Sequence, residues 1–295
     1  MTADLVLQAL LSGIVNGFVY ALIGLGLAVI FKGTRIVNAM QGEFSVVGAM
    51  VTVFALSGMG LPYWLAIVLG VLAGCALGVV VDVLFVRPMN RRDASEESYL
   101  LLTIGLAIAL SAAVLYFGGR DSHLLPPFGG DAIVEIYGAL LREHAIWLVV
   151  ASIGVVFALR MFYSKTLVGL AMAASSLDAE GASTNGINVG RMRTLTFMLG
   201  GAVGALAGIL VTPLIEVSYM MGIALTLKGF AAAIIGGLTN PFGAVAGGLL
   251  LGLLESFALI TFPSGYKDVI ALSLLIATMI FRPNGLLGRA GRAGG

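Results

Sequence analysis

The sequence predicts an all-α polytopic membrane protein, a transmembrane bundle of about nine segments, and three observations predict it. The 295 residues are 59% hydrophobic and only 11% charged, where soluble globular domains carry roughly 25% charged residues; so few charges cannot cover a water-soluble core of this size. Apolar stretches long enough to cross a hydrocarbon layer, about 20 residues at about 1.5 Å each, recur along the chain. The cations gather in alternate connections, which is the pattern that orients helices in a membrane.

The segments run approximately over 5–31, 42–58, 62–86, 99–117, 145–163, 194–212, 225–238, 243–260 and 267–281. The second and seventh are short and contain glycine, as broken or re-entrant helices do when they line a protected cavity. An outside N-terminus and a cytoplasmic C-terminus place twelve of the sixteen cations inside: Lys32, Arg35, Arg87, Arg91, Arg92, Arg160, Lys165, Arg191, Arg193, Arg282, Arg289 and Arg292. Arg120 and Arg142 then lie in an outer connection, and Lys228 and Lys267 near outer helix ends. The first cation, Lys32, follows the first apolar segment instead of preceding it, so that segment is expected to be retained and not cleaved as a signal.

Residues 1–295 read as one transmembrane domain with two longer polar stretches. The outer one, 118–144, contains Pro126, Pro127, Gly129 and Gly130 and is expected to pack as an extracytoplasmic loop. In the inner one, 164–193, Leu167, Leu170, Ala171, Ala174, Leu177 and Ala182 recur at roughly helical spacing. One or two short cytoplasmic helices along the membrane surface are predicted there, with Gly186 as a helix stop before the turn-prone Asn188 and Gly190. Glycines spaced four apart, Gly70/Gly74/Gly78, Gly200/Gly204/Gly208, Gly243/Gly247 and Gly248/Gly252, mark faces where helix backbones approach closely, within the chain or between subunits.

Several chemistries are excluded or unsupported. A net charge of +1 without clustered cations does not suit nucleic acid. The single cysteine, Cys75, builds neither a disulfide framework nor a cysteine metal site, and His123 and His144 do not form the His-Glu-x-x-His pattern of zinc enzymes. No lysine follows a glycine, so there is no phosphate-binding loop for ATP. No catalytic residues, metal or other cofactor are expected.

Carboxylates within apolar segments propose functional sites by their cost. Asp82 lies near a cytoplasmic helix end close to Arg87, for pairing or snorkelling. Glu255 is deeper, for an intersegment hydrogen bond or ion pair or for a transport pathway. Glu43 opens the second segment, where a carboxylate suits the helix dipole or a functional role. No ladder of acidic residues crosses the membrane as a proton relay would need, which points to an energy source elsewhere.

Ordered motifs carry a family resemblance. Gly24-Leu25-Gly26-Leu27 precedes Arg35-Ile36-Val37-Asn38-Ala39-Met40-Gln41-Gly42-Glu43-Phe44; Arg87-Pro88, Thr103-Ile104-Gly105-Leu106, the run from Gly169 to Arg191, Leu227-Lys228-Gly229-Phe230 with Gly236-Gly237-Leu238, Gly243-Ala244-Val245 through Glu255-Ser256, and Phe281-Arg282-Pro283-Asn284-Gly285-Leu286 follow in order. Over nearly the whole chain this resembles the branched-chain amino-acid ABC transporter permeases. The resemblance implies a bacterial inner-membrane permease subunit that pairs with a second permease, like or unlike itself. It further implies two cytoplasmic ATP-binding subunits that bind the ATP, and an extracytoplasmic solute-binding protein.

The same family handles leucine, isoleucine and valine, and relatives carry other amino acids, urea or short amides; a secondary carrier or channel is the reading outside the family. The chain departs from the family's more usual Asn-Phe-Ala-His-Gly at Asn38-Ala39-Met40-Gln41-Gly42, and from Gly-Ser-x-x-Gly at Thr239-Asn240-Pro241-Phe242-Gly243. By resemblance, Asp178, Ala179, Glu180, Gly181, Ala182 and Gly186 belong to a coupling segment that docks on an ATPase. Asn38, Gln41, Gly42 and Glu43 are expected to line the pathway, facing Gly236, Gly237 and Glu255.

Overall fold

The structure, a computed structural model, describes residues 3–130, 132–261, 263–282 and 284–288. Pro283 of the closing motif and the cations Arg289 and Arg292 lie outside the described residues.

Each predicted segment contains a helix. Among the described residues, six are long and apolar enough to cross a membrane: α1 (Ala3–Thr34), α3 (Tyr63–Val81) with its continuation, α5 (Glu96–Gly118), α6 (Glu143–Lys165), α9 (Val189–Val211) and α11 (Gly243–Thr261). The continuation of α3 is a π-helical turn, Asp82–Val86, and then α4 (Arg87–Asn90). Three are shorter: α2 (Gln41–Val53, followed by a π-helical turn to Gly58), α10 (Met221–Gly236) and α12 (Lys267–Phe281). These helices are apolar on every side, as expected where lipid and core are equally oily.

The bundle is arranged around α1, whose apolar stretch is 83% buried against 11% for α5, so α1 is an axis and α5 a rim. α1 packs on α9, α10 and α11, while α2 packs on α3, α9 and α10. The glycine stripes are the contact faces within the chain. A Cβ on Gly74 or Gly201 would run into the backbone of the other's helix, one on Gly208 into Ser45 of α2, and one on Gly248 or Gly252 into α1 at Ala21 or Gly17. Gly13 and Gly17 of α1 form a further stripe, opposite Gly252–Leu253 and Gly248–Leu249.

The connection at 118–144, expected to be a loop, contains a hairpin. β1 (Ile133–Ile136) and β2 (Ala139–Arg142) pair antiparallel around Tyr137-Gly138, both with positive φ, as a two-residue type I′ turn requires. It is tied to the bundle by the Tyr63 hydroxyl, which donates to Pro126 O at 2.7 Å, and by the His144 ring, whose Nε2 lies 2.8 Å from Leu210 O.

The connection at 164–193 forms two helices, α7 (Leu167–Leu177) and α8 (Ala179–Thr184). Each helix start has its own side-chain cap: Thr166 Oγ1 accepts from Gly169 N, Asp178 Oδ1 from Gly181 N and, opening α9, Asn188 Oδ1 from Arg191 N. Gly186 stops α8 as expected. Its φ is +81°, and Gly186 N and Ile187 N donate to Ser183 O and Ala182 O at 2.9 and 3.0 Å, the paired bonds of a left-handed helix stop.

Candidate functional site

The chain does not leave the bundle at full depth between α1 and α2. After Thr34, Arg35 takes a φ of +60° and the chain runs back beside α1. Gln41, the first residue of α2, reaches Gly26, eight residues before the end of α1 and so about 12 Å back along it. α2 therefore begins inside the bundle, with Asn38, Gln41 and Glu43 all 0% exposed.

Buried non-helical backbone must find partners, and side chains supply them. Ala39 N donates to Thr103 Oγ1 at 3.0 Å, Met40 N to Asn38 Oδ1 at 3.2 Å and Gly42 N to Thr226 Oγ1 at 2.8 Å. Asn38 Nδ2 donates to Gln41 Oε1 at 3.3 Å, and Gln41 Nε2 to Gly200 O at 3.0 Å. Asn38 and Gln41 thus hold the broken entry in shape.

Glu43 differs from both. Its carboxylate lies over Gly222 in the first turn of α10, where a Cβ would collide with it, and a Cβ on Gly42 would collide with Gly222 O. Only glycine on both helices allows this approach. Neither Oε1 nor Oε2 of Glu43 has a hydrogen-bond partner among the described residues. The positive ends of α2 and α10 both meet the carboxylate, each worth at most about 2 kcal/mol. Removing a carboxylate from water costs several kcal/mol, which the two helix ends at best offset, and no cation or hydrogen-bond donor among the described residues adds to them.

The other expected pathway residues lie elsewhere. Gly236 and Gly237 are at the opposite end of α10. There Gly236 abuts Gly243, Gly237 has a φ of +107°, and Leu286 N and Leu287 N donate to Ile235 O and Gly236 O at 2.8 and 3.0 Å. Glu255, on α11, is met by Lys228 Nζ at 2.9 Å, and the Tyr20 hydroxyl donates to it at 2.6 Å. So Asn38–Glu43 face Gly222 and Thr226; Gly236 and Gly237 lie about 20 Å away at the other end of α10, and Glu255 meets α10 at Lys228, two residues from Thr226 and so on another face of that helix. Lys228, which the sequence places near an outer helix end, belongs to this internal ion pair.

Asp82 is likewise paired, chiefly with Arg193 at 2.7 Å and the Thr194 hydroxyl at 2.6 Å; the expected Arg87 stands at 3.8 Å.

In the connector, Ala179, Glu180 and Gly186 are exposed, Gly181 is half-buried and Ala182 is buried. Asp178 is exposed and caps α8. Leu177 beside it is 77% exposed, which sets an uncovered apolar side chain next to Asp178 and Glu180.

A bundle of membrane-length helices with a helix begun inside it, its polar entry wrapped by neighbours, defines a membrane transport protein. Over residues 9–279 the sequence matches the family described as Branched-chain amino acid transport system / permease component. The chain belongs to that family. It is 30% identical to the high-affinity branched-chain amino acid transport system permease protein BraD of Pseudomonas aeruginosa, over 96% of each chain. LivH of Escherichia coli (strain K12), of the same description, is 32% identical over 96% of each. The ribose import permease protein RbsC of Haemophilus influenzae is 22% identical over 90% of this chain and 82% of its own.

Proposed function

We propose that the chain is the permease subunit of a binding-protein-dependent ABC importer in a bacterial inner membrane, and that it carries branched-chain or related amino acids. The observation that carries this reading is the buried start of α2, a polar break inside a bundle whose relatives BraD and LivH are branched-chain amino acid permeases. The chain crosses the membrane nine times, with its N-terminus outside, so that α7 and α8 lie in the cytoplasm. A second permease completes the pathway, two cytoplasmic ATPase subunits bind the ATP, and an extracytoplasmic protein delivers cargo. α7 and α8 dock on the ATPase through exposed Leu177, Ala179 and Glu180, with Asp178 and Gly186 fixing the helix ends.

Gln41 gives a second reading. The family more often has His there, and an amide that both donates and accepts hydrogen bonds suits a neutral cargo such as urea or a short amide that takes the place of its bonds to Asn38 and Gly200.

Uptake by vesicles holding the complete transporter tests both. Leucine, isoleucine and valine are expected to accumulate only with ATP and loaded binding protein. Accumulation of urea or acetamide without leucine establishes the second reading, and accumulation without ATP replaces the importer by a secondary carrier or channel. Glu180→Arg and Gly186→Leu are expected to lower uptake at least tenfold while ATP hydrolysis continues; unchanged uptake in both moves the docking site elsewhere.

A further inference from the structure

We infer that Glu43 is the cargo contact for a primary ammonium group, the charged end of an amino acid; this rests on the importer reading above.

Three carboxylates are fully buried among the described residues of the bundle, Glu43, Asp82 and Glu255. Asp82 and Glu255 each have a cation and a hydroxyl within 3 Å. Glu43 has neither, although it belongs to the same buried entry as Asn38 and Gln41. Its neighbours are committed elsewhere. Thr226 Oγ1 accepts from Gly42 N and donates to Gly222 O, Gln41 spans Asn38 and Gly200 O, and the residue set against the carboxylate itself, Gly222 of α10, has no side chain to offer it. Lys228, further along α10, directs its ammonium to Glu255 and Tyr20.

A buried carboxylate needs a positive partner or hydrogen-bond donors, and an ammonium offers a charge and three donors at once. Asn38 and Gln41 have reasons to be present in the closed bundle, since they satisfy backbone. Glu43 satisfies nothing there, so its partner arrives with the cargo. The seam that must part to admit it is glycine against glycine, Gly42 on Gly222, held by the Gly42–Thr226 hydrogen bond.

The test uses the complete transporter in vesicles with a leucine-loaded binding protein. Glu43→Gln is expected to lower the maximal leucine uptake rate at least tenfold at equal membrane level, and Glu43→Asp, which keeps the charge, to stay within fivefold of the parent. A second readout does not depend on transport. Dicyclohexylcarbodiimide, which attacks carboxyl groups in apolar surroundings, is expected to label Glu43 in the resting complex, and leucine-loaded binding protein with ATP to reduce that labelling at least threefold; peptide mass spectrometry reads it.

Uptake by Glu43→Gln within twofold of the parent overturns the proposal and leaves the importer reading standing. Tenfold loss in both variants with labelling that cargo does not protect assigns Glu43 to packing and also overturns it. A parent complex that carries urea but not leucine removes the importer reading for amino acids, and this inference with it.

Discussion

Glu43 and Glu255 are the same residue type, both 0% exposed, and the bundle treats them in opposite ways. Around Glu255 three helices contribute, α1 through Tyr20, α10 through Lys228 and α11 through the carboxylate itself, and the charges meet at 2.9 Å. Around Glu43 two helix starts converge through glycines, and no side chain among the described residues bonds it. The first arrangement is complete in itself, so it reads as a structural clamp joining α10 to α11. The second is incomplete. A carboxylate kept without a partner costs stability, and a chain gains from such a cost only where something other than the resting fold uses the group.

The difference is open to direct measurement, and the largest effect is expected at the clamp. Lys228→Met removes the cation from a buried pair and should cost about 3–5 kcal/mol, seen as a fall in the thermal midpoint of the purified protein in detergent; adding Glu255→Gln should recover most of it. If Lys228→Met is as stable as the parent, the clamp is not one.

Next in size is the glycine seam. Gly222→Ala places a methyl against the Glu43 carboxylate, and overpacking of this kind typically costs about 1–3 kcal/mol. The same melting experiment reads it, and Glu43→Ala in the same chain should cancel the loss by removing the obstructing group.

An exposed carboxylate sets the scale below. Asp178→Ala removes the cap of α8 and should cost about 1 kcal/mol, felt locally; faster amide exchange over residues 179–184 with an unchanged global melt is the expected result.

The smallest effect belongs to Glu43→Gln. No partner is lost and a buried charge is removed, so stability should be unchanged or slightly higher, within about 1 kcal/mol. A clear loss would mean that Glu43 has an internal partner after all, and the contrast with Glu255 would close.

Much of this architecture is legible in the sequence, because span length and helix punctuation are local. The apolar runs mark the helices. The short, glycine-bearing second segment signals the break before Gln41, and Gly186 announces the end of α8. What is hidden is which faces meet. Helices that are apolar all round carry no stripe to orient them, so neither Lys228 opposite Glu255 nor Arg193 opposite Asp82, 111 residues apart, follows from spacing. The glycine rows show that backbones approach without naming the partner helix.

Of the candidate site, the cluster Asn38–Glu43 is found from sequence, while Gly222 and Thr226, which complete it, are not singled out there: one glycine and one threonine in an apolar run look like any others. The hairpin was within reach, since Ile133-Val134-Glu135-Ile136 precedes a Tyr-Gly turn, but four-residue strands beside proline- and glycine-rich chain give a weak alternation.

The central place of α1 has a consequence for biosynthesis. This helix leaves the ribosome before the other helices, yet its principal partners, α9, α10 and α11, follow only after α2 to α8. Until then Gly13 and Gly17 have no glycines to meet, and Tyr20 has neither Lys228 nor Glu255. α1 must therefore wait in the lipid, or beside the insertion machinery, with its packing face unfilled while the intervening helices are laid down. Assembly is governed by its most distant contacts, and a chain interrupted before α9 holds an axis with only its lesser neighbours, α2, α6 and α7, in place.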